Sequence, residues 1–158
     1  MQTLPSRLPW TAEIDGDDLV VHNILATCFG GKYDRGDNGL TESGVRNDGS
    51  DPSLLGVALP IRSTEKATAC SPLAFKGPHI PWGTKVMVWR EADGEDTALA
   101  CQLIDNGPNV FLLPRHAIDL NPKVVLKLDP TANPATVANS WISGGMSYRI
   151  IGGARYIS

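Results

Sequence analysis

The sequence predicts an all-β fold: a closed barrel of about six strands, with one short helix and long polar loops. Three observations carry that expectation. Apolar runs rich in Val, Ile and Leu recur along the chain at strand length. Sixteen glycines and twelve prolines are dispersed between those runs as turn punctuation, the pattern of a turn-rich β domain. Only one segment carries the chemistry of a helix start. At 158 residues the chain fits one domain with a sizeable core. Residues 1–17 are expected as an irregular arm, punctuated by Pro5, Pro9 and Asp/Gly, with Trp10 available to pin it, and residues 18–158 as the barrel domain.

From Asp18, "DLVVHNILATCFGG" reads as the first barrel strand and stops at Gly30-Gly31. Residues 32–53 are nearly devoid of large apolar side chains, and a loop this long in a compact domain is usually functional or disordered. "LLGVALP" (54–60) is a short apolar run fit for a buried strand. After a second polar connection over 61–80, "IPWGTKVMVWRE" gives a turn and a strand. Residues 91–96 form a hairpin connection, and "TALACQLID" returns. In "LNPKVVLKL", Asn121 stands at an N-cap and Pro122 at the first helical position. Val124, Val125 and Leu128 make the buried stripe, and Asp129-Pro130 stops the helix. "MSYRIIGGARYIS" supplies one or two closing strands.

Seventeen acidic residues against fourteen basic ones give a net charge of −3. No Lys/Arg cluster exceeds a pair, so the electrostatic footprint of nucleic-acid binding is missing. No stretch is long and apolar enough to span a bilayer. The opening residues, "MQTLPSRLPW", contain no apolar signal core: either the chain is not exported by the usual route or it begins after a removed signal. Cys28, Cys70 and Cys101 permit one disulfide in three pairings, or three buried thiols. None has a metal-ligand spacing, so no metal and no cofactor is expected.

Five short motifs, taken in order, resemble the double-psi β-barrel families. Thr41-Glu-Ser43-Gly44-Val45-Arg-Asn-Asp48 looks like Thr-Ala-Ser-Gly-Glu-x-x-Asp. Ile80-Pro81-Trp82-Gly83-Thr84 matches Leu-Pro-x-Gly-Thr. Asp105-Asn-Gly107-Pro108 matches Asp-Arg-Gly-Pro, and Ile118-Asp119-Leu120 matches Ile-Asp-Leu. The fifth is a first strand that ends in an aromatic residue and glycine. The nearest families are the rare lipoprotein A-like and 3D-domain lytic transglycosylases; expansins and family 45 endoglucanases are more distant. The resemblance covers roughly residues 24–152 and implies a six-stranded double-psi barrel. It departs from the transglycosylases where Val45 replaces their active-groove glutamate. His116 stands one place off the His-x-Asp spacing of expansins.

The resemblance implies a glycan-cleaving enzyme acting on peptidoglycan or a related β-1,4-linked polysaccharide, with Asp119 as general acid. Partial burial at the end of an apolar element would raise its pKa and keep it protonated near neutrality. Read from the residues alone, Asp119 is equally a cap for the helix that follows. Asp105 organises its own turn and orients the groove. A hydrolase adds a second carboxylate, for which Asp34, Asp37 and Asp48 are the candidates, each of them also an ordinary turn residue. Tyr33 and Trp82 offer aromatic faces to sugar rings, as does Trp89, which serves equally to cover the core. Ser43 and His116 complete the substrate-binding candidates. His22 reads as a satisfied buried histidine, His79 as solvated. The expected partner is a polysaccharide bound by a monomer, in an extracytoplasmic or secreted setting. Two alternatives stand beside this reading: an expansin-like binding module, and a structural barrel of a phage or secretion apparatus.

Overall fold

The computed structural model describes residues 1–4, 11–31, 39–60, 80–107, 115–133 and 144–156. It is mostly β: a closed six-stranded barrel, two outer strands and, among the described residues, a single short α-helix. The strands are β1 (Gln2–Leu4), β2 (Thr11–Asp15), β3 (Asp18–Cys28), β4 (Gly56–Leu59), β5 (Lys85–Arg90), β6 (Leu99–Asn106), β7 (His116–Leu120) and β8 (Met146–Ile150). The barrel runs β3-β7-β4-β6-β5-β8 and closes by pairing β8 with β3. Two of its ladders, β3–β7 and β4–β6, are parallel, and the other four are antiparallel.

Alternation along the strands builds the interior. Leu19, Val21, Ile24, Ala26 and Cys28 of β3 face a core shared with Val57 and Leu59 of β4, Val86 and Val88 of β5, and Leu103 of β6. Ile118 and Leu120 of β7 join them, with Tyr148 and Ile150 of β8. The period in β3 slips between Val21 and Ile24, where the ladder to β8 shifts register and Asn23 takes φ +61°. Asn tolerates that left-handed conformation, and the Asn23 side-chain Oδ1 accepts a 2.7 Å hydrogen bond from the Arg115 guanidinium.

The expected irregular arm over 1–17 instead contains two strands. In "TAEID" Ala12 turns inward, and Asp15 pairs with Asp18 across a two-residue loop. Gly16 fills its first position at φ +61°, as a primed hairpin turn requires. Leu4 and Ala12 reach the core. Two polar clusters clip this ribbon to the barrel. His22 sits 2.9 Å from Glu13 and 3.0 Å from Ser147, whose hydroxyl donates to Glu91. Arg149 reaches Asp15, Asp18 and Glu95 at 3.0, 3.3 and 2.7 Å. Trp10 lies outside the described residues.

The helix, α1 (Pro122–Leu128), forms as its sequence predicts. The Asn121 side chain accepts from the Val124 amide at 3.1 Å and donates to the Leu54 carbonyl at 2.8 Å, so one cap joins the helix to the segment entering β4. Residues 91–96 connect β5 to β6 as expected, through a 3₁₀ turn at Glu95–Thr97. The C-terminal segment supplies one closing strand, β8, followed by a 3₁₀ turn at Gly153–Tyr156. No helix among the described residues is long and apolar enough to cross a membrane.

Candidate functional site

The strand registers bring the two aspartates of "LIDNGPNVFLLPRHAIDL" into one row. Ala58 of β4 pairs with Asp119 of β7 on one side and with Asp105 of β6 on the other, and Asp119 pairs in turn with Thr27 of β3. The row Thr27–Asp119–Ala58–Asp105 thus crosses four adjacent strands. Its neighbours Ala26, Leu59, Ile118 and Leu120 belong to the interior cluster, so the row lies on the outward face of the barrel. Two strand spacings set the aspartate backbones about 10 Å apart, with Ala58, itself fully buried, at the register position between them.

Two bulges create this alignment. In the β4–β6 ladder the partners step from Val57↔Leu103 to Ala58↔Asp105, leaving Ile104 as the extra residue. In the β3–β7 ladder they step from Leu25↔His116 to Ala26↔Ile118, leaving Ala117 extra. A bulge re-aims the side chains that follow it, and here it turns each aspartate outward. Gly56 makes room for the first bulge, because a Cβ there would meet the Ile104 Cδ1 at 2.3 Å.

The same geometry revises the place of His116. Three residues separate it from Asp119, but the bulge at Ala117 removes one step, so the two occupy neighbouring outward rows of β7. Desolvation, and then the charge of Arg115, push the His116 imidazole below its ordinary 6.5, which favours the neutral ring at pH 7.

Asp119 and Asp105 are held differently. The Thr27 hydroxyl donates to the Asp119 Oδ1. Gly107 approaches the other oxygen closely: a Cβ at that position would sit 3.2 Å from Oδ2. The Asp105 Oδ1 accepts the amides of Asn106 at 2.8 Å and Glu42 at 3.2 Å. The Asx-type bond expected of Asp105 is not formed with the amide two residues on, because the Gly107 amide goes to the Leu59 carbonyl; Asp105 instead ties the end of β6 to a distant loop, which docks there also through Ser43 N to the Ile104 carbonyl at 3.2 Å.

Within that loop the Thr41 and Ser43 hydroxyls lie 2.8 Å apart, and Thr41 donates to the Val45 carbonyl at 2.7 Å. Leu40 and Arg46 form an isolated bridge, and the Asn47 carbonyl accepts the Gly31 amide at 2.6 Å. Ser43 thus stands beside the aspartate row through backbone contacts. Asp48 is engaged as a turn residue. Hydrogen bonds from Ser50, and then the Arg46 guanidinium 2.8 Å away, hold its carboxyl well below the usual carboxylate range. That chemistry suits a permanent anion and not a proton donor. Asp34, Asp37 and Tyr33 lie outside the described residues, as do His79, Cys70 and Pro108.

Trp82 is half-buried and packs against the core cluster, so its aromatic face is partly committed to packing. Trp89 is buried, with its ring edge-on to His22 at 6.3 Å. It covers the core. His22 is half-buried and satisfied by its polar partners. Cys28 and Cys101 are both buried, and burial pushes the Cys101 thiol up to about 12. Among the described residues no group of three or more His, Cys, Asp or Glu side chains could hold a metal ion. A groove of about 280 Å³ opens between the Asn47–Leu54 segment and the start of α1, floored by Pro52, Leu54, Pro122 and Leu126.

Sequence reading missed Thr27, Ala58 and Gly107. Thr in a strand is an ordinary β-former, and nothing local in "GVAL" marks a residue flanked by two carboxylates. In comparisons of the sequence with protein-family models and with curated proteins, nothing matches.

Proposed function

We propose that this protein cleaves a glycan, either peptidoglycan or a related β-1,4-linked polysaccharide, with Asp119 as the general acid. The observation that carries the reading is the outward row Thr27–Asp119–Ala58–Asp105, with His116 in the neighbouring row. It gathers three of the residues picked out by resemblance, from two different strands, onto one surface where the Ser43 loop also docks. The barrel itself we read as double-psi, a reading supported by two parallel ladders within one closed six-stranded barrel.

Asp119 gives its proton to the glycosidic oxygen as the anomeric C–O bond breaks, and the leaving sugar departs as an alcohol with the bonding pair. A hydroxyl oxygen, from the same sugar or from water, then bonds to the anomeric carbon and returns its proton to the Asp119 carboxylate. Attack by the sugar's own hydroxyl needs no further base. Where water attacks, a second carboxylate takes its proton in place of Asp119, and Asp105, two strands from Asp119, is the described carboxylate in the same row. Substrates of this kind place the protein in an extracytoplasmic setting.

The test is to incubate the protein and its Asp119→Asn variant with purified peptidoglycan and with soluble β-1,4-glucan, and to weigh the released fragments by mass spectrometry. Fragments dependent on Asp119 are expected. Fragments lacking one water identify transglycosylation, and water-added sugars identify hydrolysis. A second reading rests on Val45, which stands where transglycosylases carry a glutamate and whose amide lies 3.3 Å from the Ser43 hydroxyl. An expansin-like binding module fits that substitution. Capture of the protein on either polymer, with no fragments released, would establish it and sink the enzyme.

A further inference from the structure

We propose that Thr27 is a positioning residue that decides which oxygen of Asp119 carries the transferable proton; the inference rests on Asp119 as the acid. A carboxylic acid has one carbonyl oxygen and one hydroxyl oxygen, and the carbonyl is much the better acceptor. The Thr27 hydroxyl donates to Oδ1, so Oδ1 takes the carbonyl role and the proton resides on Oδ2. Oδ2 is the oxygen beside Gly107, where even a methyl group would stand 3.2 Å away. The glycosidic oxygen therefore approaches past the bare Gly107 backbone. Once the proton has left Oδ2 for the leaving oxygen, the new negative charge spreads over both oxygens and the Thr27 hydroxyl stabilises it at Oδ1.

This arrangement is built by the fold. Thr27 and Asp119 are register partners on the parallel β3–β7 ladder, and the bulge at Ala117 brings them onto the same face. Gly107 follows β6 and is tied to β4 by its amide, 3.3 Å from the Leu59 carbonyl. Its φ of +136° is one that side-chain-bearing residues rarely adopt.

Thr27→Val keeps the shape of the side chain and removes the donor, and Thr27→Ser keeps the donor. The first readout is the carboxyl ¹³C resonance of Asp119 followed against pH in the full chain, which needs no activity. A donor to the ionised form favours that form, so Thr27→Val should move the Asp119 titration to higher pH by about one to two units. Thr27→Ser should restore it. The second readout is the pH profile of glycan cleavage: the alkaline limb should move up with the titration in Thr27→Val, and the rate at the optimum should fall about tenfold. An unmoved titration in Thr27→Val, or a lower rate with an unmoved limb, would overturn the proposal and make Thr27 a packing residue. A moved titration in a protein that cleaves nothing would leave the Thr27–Asp119 link standing, overturn the delivery step, and locate the failure in the glycan-cleaving reading.

Discussion

In the β4–β6 ladder, a bulge at Ile104 is followed by Asp105, whose Oδ1 accepts two backbone amides. In the β3–β7 ladder, a bulge at Ala117 precedes Asp119, whose Oδ1 accepts a threonine hydroxyl. Both ladders are parallel, both aspartates follow an isoleucine, and both point outward in the same row. What separates them is the donor. Backbone amides are fixed by the fold and cannot rotate away, so they bind Asp105 into the architecture and anchor the Ser43 loop through it. A hydroxyl can rotate, so the contact that orients Asp119 is adjustable where the amide contacts of Asp105 are not. The same row thus holds one carboxylate by backbone amides and one by a side chain, and the proposed acid role of Asp119 turns on that difference.

The comparison is broken most directly at Asp119. Asp119→Asn should lower glycan cleavage by about 10²–10⁴-fold while leaving Tm within a few degrees, and Asp105→Asn should retain measurable cleavage. Mass spectrometry of fragments beside thermal melts decides this. Equal losses from both variants would erase the proposed division of roles, and a collapse of Asp119→Asn would make it a cap.

Next in size is the bulge itself. Gly56→Ala places a methyl against the Ile104 side chain and should cost about 2 kcal/mol in chemical denaturation. Ile104→Val in the same chain should recover part of that loss, because the two side chains compete for one space. Independent, additive effects would mean that Gly56 is not what admits the bulge.

Asp105→Ala should cost about 1 kcal/mol and speed hydrogen exchange at the Glu42 and Ser43 amides, with the β5–β8 ladder unaffected. The smallest effect belongs to His116, whose folded value lies below 6.5. The stability gained by keeping it neutral is fully present above 6.5. It is lost as pH falls from there toward the folded value, since the unfolded chain takes up the proton first. His116→Asn should flatten the decline of Tm over that acid-side window; an unchanged slope would remove His116 as its source.

Local chemistry was readable in the sequence. Asn121-Pro122 marks the helix start because a capping oxygen and a preset φ act within four residues. The apolar run at 54–60 and the 91–96 connection were legible for the same reason. The β2 strand was missed because Asp15-Gly16-Asp17 reads as loop punctuation, although Gly16 in fact makes the hairpin. The row of aspartates was beyond sequence reading: it depends on two extra residues, and whether Ile104 or Ala117 is unpaired is a property of partner strands far along the chain. For the same reason nothing local showed that His116 and Asp119 share the outward face of β7, since that depends on the extra residue at Ala117.

β3 is longer than any one neighbour. The first half of one edge is taken by β2, through pairs from Asp18 to His22, and the second half by β7, through pairs from Leu25 to Cys28, with Asn23 at the changeover. Without the ribbon, the run Leu19–His22 would present an open row of amides and carbonyls beside apolar side chains, a ready template for a strand from another molecule. The outer ribbon thus covers an edge open to self-association as well as extending the sheet, and the Arg149 ion pairs with Asp15 and Asp18 and the His22–Glu13 hydrogen bond help to hold it there.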